Sequence, residues 1–197
     1  MQGKTVILIE MGHTQSTAVV VKIGSFESND VPLATKLSHA TNDNLGALDF
    51  DLKLFEHFSN ICASKHGGAV IPGSKRGQRL ILGCERIRKL LSQLPESSIT
   101  VENMSDSGDV NFSLKRNDLI SMCANLLEAF KVLIKKALTS AGIQSGNIIM
   151  IKCILLDDLT HKPLFCATLS QNRVILAVKI CVYVYFPRSI MRILAEA

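Results

Sequence analysis

The stretch Thr5-Val6-Ile7-Leu8-Ile9-Glu10-Met11-Gly12-His13-Thr14-Gln15-Ser16-Thr17-Ala18-Val19-Val20-Val21-Lys22-Ile23 sets the reading of this 197-residue chain. Thr5 to Glu10 is a short apolar run ending in a carboxylate. Met11 to Thr14 is a turn, and Thr17 to Ile23 is a second run rich in β-branched residues, so the segment reads as a β-hairpin. A third run, Leu33 to Ala40, follows a loop holding Asn29-Asp30 and Pro32. Three strands with tight connections predict an antiparallel meander. A turn between two strands can present backbone N–H groups to a phosphate. This one has the right position but few glycines, and taken alone it is more simply a hairpin turn with an exposed His13.

Working outward, the period changes from two to three and four. Phe50, Leu54, Phe58, Ile61 and Cys62 form one apolar helical face that stops at Lys65-His66-Gly67-Gly68. A second helix is predicted over about 74–94, with Leu80, Cys84, Ile87 and Leu91 as its buried stripe and Pro95 at its end. Ser98 to Met104 and Val110 to Leu114 alternate around a Ser105-Asp106-Ser107-Gly108-Asp109 turn, which predicts a hairpin. One long helix is then expected from Asn117 to Ala141, with Leu119, Met122, Cys123, Leu126, Leu127, Phe130 and Leu133 inward and Gly142 as a left-handed cap. Ile148 to Ile151 reads as a buried strand, and after Lys152 the periodicity weakens.

Composition narrows the function. Hydrophobic residues make up 47% and charged residues 20%, as in a globular protein. The net charge of +5 comes from scattered cations, without the dense basic stripe or aromatic platform that nucleic-acid binding needs. The most apolar run, Val174 to Phe186, is too short for a membrane helix and is broken by Lys179. Cys62, Cys84, Cys123, Cys153, Cys166 and Cys181 have no zinc or redox-pair spacing. They read as small buried hydrophobes of a reducing compartment, with the cytoplasm expected and the nucleus as a further location. Asp157-Asp158 with His161 is a weak metal pattern, and no metal site is assigned.

On the second helix, Glu85, Arg88, Lys89 and Ser92 stand at offsets of three, four and seven and share one face. A carboxylate can hold ribose hydroxyls, a cationic stem can cover a purine and a hydroxyl can reach its edge. In isolation the same pattern is more simply a solvated charged face.

The order of these pieces carries more. Glu10-Met11-Gly12-His13-Thr14 resembles the Asp-Met-Gly-His-Ser turn of the larger, hundred-and-ten-kilodalton branch of the seventy-kilodalton heat-shock family, where the ordinary chaperone has Asp-Leu-Gly-Gly-Gly-Thr. Leu45-Gly46-Ala47-Leu48-Asp49-Phe50-Asp51 resembles the family's Leu-Gly-Gly-x-x-Phe-Asp motif. Cys84 to Ser92 resembles its Cys-Glu-x-x-Lys-x-x-x-Ser adenosine helix, and the Val101-Glu102-Asn103-Met104 hairpin with its following helix fits the same layout. The resemblance covers about residues 5–151. It implies an α/β fold, an actin-like ATPase lobe in which a ribonuclease-H-like sheet carries a helical and hairpin subdomain.

The same resemblance implies a site. Gly12, His13 and Thr14 would lie near the β- and γ-phosphates of ATP or ADP, with Gly46 and Ala47 on their other side. Glu85 and Arg88 would hold ribose, and Lys89 and Ser92 would meet adenine. Magnesium would accompany the nucleotide, although no protein ligand for it is identified. The departures are Glu10 for Asp, Ala47 for the second glycine, and Lys89 for a stacking arginine, which loses the planar guanidinium. His13 and Thr14 in place of glycines narrow access to the backbone. Each points toward weak hydrolysis, and no residue is assigned as catalytic.

The resemblance further implies a chain incomplete at both ends, since the first lobe's phosphate turn and catalytic acids would precede residue 1. Where the family continues into Gly-Gly-x-x-Arg-x-Pro, this chain reads Lys152-Cys153-Ile154-Leu155-Leu156. Residues 1–151 are thus expected to form the second lobe and 152–197 a divergent tail, as an alternative transcript or unspliced read-through would give. The expectation is a chaperone or exchange-factor lobe that binds adenine nucleotide weakly, is inactive alone, and meets a partner heat-shock chaperone or unfolded protein, without nucleic acid or membrane. The alternatives are a non-enzymatic interaction module, with Val174 to Phe186 as a sticky strand, and another actin-like ATPase such as a sugar kinase.

Overall fold

In a computed structural model of the chain, residues 4–24, 34–65, 68–105, 108–143 and 150–155 are described, together with short strand pieces at 164–165, 168–170, 173–175 and 178–179. The Asp157, Asp158 and His161 pattern lies outside the described residues, as does most of Val174 to Phe186.

The opening hairpin forms as its pattern requires. Strand β1 (Lys4–Met11) pairs antiparallel with β2 (Ser16–Ile23), which pairs antiparallel with β3 (Ala34–Asn42). Strand β6 (Met150–Leu155) adds on the other side of β1 in parallel, giving a four-stranded sheet of order β3-β2-β1-β6. The meander is therefore one part of a mixed sheet. β6 continues four residues beyond Ile151, because backbone pairing with β1 does not depend on the glycine motif that Lys152 to Leu156 lacks.

Two helices follow β3: α1 (Ala47–Lys65) and α2 (Lys75–Gln93). The hydroxyl of Ser74 caps α2 by accepting from the Gly77 N–H at 3.0 Å. Hairpin strands β4 (Glu96–Ser105) and β5 (Gly108–Lys115) come next. α2 approaches β4 closely at Gly83, where a Cβ would lie 2.9 Å from both Ile99 Cδ1 and Val101 Cγ2.

The expected single helix over 117–141 is instead two: α3 (Arg116–Met122) and α4 (Ala124–Ser140). They meet at Cys123, whose ψ of 14° departs from helical geometry. The break has a packing cause. Leu119 and Met122 of α3 touch both cores of the molecule, whereas the buried face of α4 lies wholly in one. A straight rod could not serve both. Gly142 ends α4 at a φ of 66°, the left-handed cap expected there.

Those two cores organise the structure. The first packs Ile7, Ile9, Met11, Ala18, Val20 and Ala40 of the sheet against Phe130, Leu133, Ile134, Ala137 and Leu138 of α4. The second joins Leu54, Phe58 and Cys62 of α1 to Leu80, Cys84, Ile87 and Leu91 of α2 and to Ile99, Val101, Phe112 and Leu114 of the hairpin. α1 crosses between them, with Phe50 in the first and Leu54 in the second.

Asp51 stands at that crossing. Its carboxylate accepts from Arg88 Nε at 2.6 Å and from a terminal guanidinium nitrogen at 3.0 Å, and the two side chains are only 5% and 7% exposed. The fork of two parallel bonds fixes α1 against α2 in angle as well as distance.

Removing one partner of such a pair strands a buried charge. Asp51→Leu or Arg88→Met alone is expected to destabilise the chain by about 3–5 kcal/mol, and the double variant to recover most of the loss. Urea unfolding of the four proteins checks this; additive single effects would show that the two side chains do not act as a pair.

Candidate functional site

The site begins at the β1–β2 turn. Gly12 N–H donates to Gln15 O at 2.8 Å, which closes the turn and leaves His13, Thr14 and Gln15 exposed at its tip. Ser16, by contrast, is buried and donates its hydroxyl to Leu45 O at 2.5 Å, tying the turn to the segment that leads into α1.

The N-terminus of α1 then abuts the turn. Ala47 N–H donates to Gly12 O at 3.0 Å and Leu48 N–H to His13 O at 2.9 Å. Gly46 N–H donates to the Asp49 carboxylate at 2.7 Å, half of a capping box. The first amides of this helix, which would otherwise be orphan donors, are thus spent within the protein. Gly46 and Ala47 lie beside the turn, but their N–H groups are already taken, that of Gly46 by the Asp49 carboxylate and that of Ala47 by Gly12 O. Among the described residues none accepts from the N–H groups of His13 or Thr14, so the donors open to a phosphate are at the tip of the turn.

Glycine at position 46 is obligatory here. A Cβ would stand 2.3 Å from His13 O, 2.5 Å from His13 C and 2.6 Å from Thr14 C, all backbone atoms that cannot swing away. Ala47, where the resemblance has a second glycine, is buried with its methyl group in the first core, so alanine fits there.

α2 presents the other surface. Glu85 and Lys89, one helical turn apart, form an ion pair at 2.5 Å and are each 35% exposed. Ser92 is nearly buried and donates its hydroxyl to Lys89 O at 2.5 Å, so its oxygen remains as an acceptor. Arg88 differs from its place in the sequence reading. Counting residues puts it on the same face as Glu85 and Lys89, but its guanidinium turns inward to Asp51. A long side chain at the edge of a face can follow a buried carboxylate rather than solvent.

The two surfaces are joined through α1. Its first turn grips the Gly12-His13 segment, and Asp51, on the following turn, grips Arg88 between Glu85 and Lys89. Asp51 belongs to the Leu45 to Asp51 motif, but sequence reasoning gave it no role. The signal available was an acid on the apolar side of an amphipathic helix.

The thiols nearby carry no chemistry at neutral pH. Burial pushes Cys84 well up from its ordinary range, with the Asp51 carboxylate adding to the effect, and burial raises Cys123 to about 12. Cys62, Cys84 and Cys123 are free thiols. Among the described residues no three of His, Cys, Asp or Glu converge as a metal site, and no helix is long and apolar enough to cross a membrane.

Gly46→Ala is expected to displace the turn and cost about 1–3 kcal/mol. Thermal unfolding and the amide resonances of Gly12 to Gln15 read this out, and an unchanged turn would show that the close approach at Gly46 is not what shapes it.

The family model described as Hsp70 protein matches residues 1–156, ending just after β6. Heat shock 70 kDa protein 16 of Arabidopsis thaliana is 33% identical over 143 residues, covering 73% of this chain and 18% of the relative. Heat shock 70 kDa protein 14 of the same plant is 31% identical over 149 residues, 76% of this chain and 17% of the relative. A heat shock protein homolog of Saccharomyces cerevisiae is 24% identical over 151 residues, 77% of this chain and 21% of the relative. The chain spans about a fifth of the length of these curated relatives. It belongs to the Hsp70 family, on the side of its larger Hsp110-type branch, and its sheet, helices and hairpin are part of that family's actin-like ATPase fold.

Proposed function

We propose that this chain is an adenine-nucleotide-binding lobe of a heat-shock chaperone or chaperone nucleotide-exchange factor, weak in affinity and without turnover on its own. The observation that carries the reading is the mechanical link described above. One helix holds a turn with outward N–H groups at its N-terminus and, through Asp51, a second helix bearing Glu85, Lys89 and Ser92. The residues fit ATP or ADP in kind. N–H donors at His13 and Thr14 suit phosphate oxygens, Glu85 suits ribose hydroxyls, and the Lys89 stem and the Ser92 oxygen suit the base. Arg88 serves in this scheme through Asp51, holding the helix face in place. Magnesium bound with the nucleotide would neutralise phosphate charge, and the described side chains supply no acid cluster to hold it independently.

Weak binding follows from the small number of contacts. A nucleotide gripped on one side loses several kcal/mol relative to an enclosed one, which is orders of magnitude in affinity. Partners in this reading are a heat-shock chaperone or unfolded polypeptide, met in the cytoplasm or nucleus. A non-enzymatic interaction module is the second reading. It is favoured by Leu82, Leu90 and Leu94 on and after α2, which are 60%, 41% and 46% exposed.

Calorimetric titration with ATP and ADP should give a Kd on the order of 0.1–1 mM. Lys89→Glu should weaken it at least tenfold, and single-turnover assays should show no stoichiometric phosphate release. Absence of saturable binding, or affinity indifferent to Lys89, would favour the interaction module instead.

A further inference from the structure

The last turn of α2 is held from outside the helix. A helix leaves its final carbonyls without intrahelical donors, and here Pro95 prevents continuation. Leu94 N–H closes back on Leu90 O at 2.9 Å. The carbonyls of Leu91 and Ser92 are taken by Arg116, the first residue of α3. Its Nε donates to Leu91 O at 2.7 Å and a terminal nitrogen donates to Ser92 O at 3.4 Å. The backbone N–H of Arg116 donates to Pro95 O at 2.9 Å, so a single residue binds three points of the α2–β4 corner. A cation at the C-terminus of a helix also opposes the helix dipole.

We infer that Arg116 is a positioning residue for the adenosine end of the site, acting through the last turn of α2 on Ser92; this rests on the nucleotide-binding reading above. The Ser92 hydroxyl reaches back to the backbone carbonyl of Lys89, so its orientation passes through this turn, whereas the Lys89 ammonium is held by Glu85 one turn earlier. Without Arg116 the turn frays, and binding must then order it, which lowers affinity for the base. The phosphate end is insulated from that loss. The β1–β2 turn is fixed by α1, and the middle of α2 is fixed by Asp51 and Arg88, within a turn of Glu85 but a full turn before Ser92. Arg116 also lines a shallow cavity of about 290 Å³ with Pro95, Glu96, Lys115 and Asn117, so a different side chain at 116 has room and creates no clash. Nothing in the helical pattern of the sequence marks this arginine, because its partners are backbone carbonyls 24 and 25 residues earlier.

The test titrates the chain, Arg116→Met and Arg116→Lys with ATP and, separately, with inorganic tripolyphosphate, following amide resonances. Arg116→Met should bind ATP about three- to tenfold more weakly, the worth of roughly one hydrogen bond. Tripolyphosphate affinity should not change, and Arg116→Lys, which can still reach one carbonyl, should recover part of the loss. Equal weakening toward both ligands would mean general structural damage and would overturn the positioning role, as would no weakening toward either. A parent chain that binds ATP no better than tripolyphosphate would instead overturn the nucleotide-binding reading itself.

Discussion

The fork between Asp51 and Arg88 is the constraint on which the arrangement of this molecule depends. Each of the two cores could form on apolar contacts alone, and such contacts are non-directional. They would hold α1 and α2 together without fixing how one slides or rotates on the other. Two parallel hydrogen bonds between planar groups remove that freedom. A buried ion pair is a poor source of net stability, because desolvation offsets much of its attraction. Its value here is geometric, since it sits where α1 leaves the sheet core and enters the hairpin core.

The turn at residues 12–15 follows a similar logic. Its shape is set by α1, whose first amides bind the carbonyls of Gly12 and His13 and whose preceding glycine admits close approach. A loop that would otherwise sample many conformations is thereby held in one shape by bonds to α1. The substitutions at positions 13, 14 and 47 relative to the glycine-rich form become intelligible in this light. Ala47 is absorbed by the core, while His13 and Thr14 add side chains at the exposed tip and restrict what can approach it.

Much of this was legible in the sequence, for reasons that differ by residue. Period-two runs marked β1, β2 and β3, and the stripe Leu80, Cys84, Ile87 and Leu91 marked the buried face of α2, because each side chain's environment follows from its own element. The interruption at Cys123 was not legible. It lacks proline or glycine and arises from the demand of two cores on one segment. Likewise the inward turn of Arg88 depends on Asp51, 37 positions away, and helical spacing carries no information about a partner on another helix. Motif order puts residues 12–14 beside 46–47, and the backbone bonds between Gly12, His13, Ala47 and Leu48 bring them together. Which amides face outward was beyond that reading, because it depends on hydrogen bonds between elements.

The parallel pairing of β1 with β6 has a consequence for how the chain comes into being. Val6 meets Met150, and Ile7 meets Ile151, so the central strand of the sheet acquires its second neighbour only after nearly the whole family-matched region has left the ribosome. The helices and hairpin between 47 and 115 have all their main partners close in sequence and can settle early. Until β6 arrives, one edge of β1 stays open and rich in β-branched residues, a surface prone to mispairing with other nascent chains. For a member of the heat-shock family, its own synthesis thus includes an interval in which it resembles the clients of a chaperone.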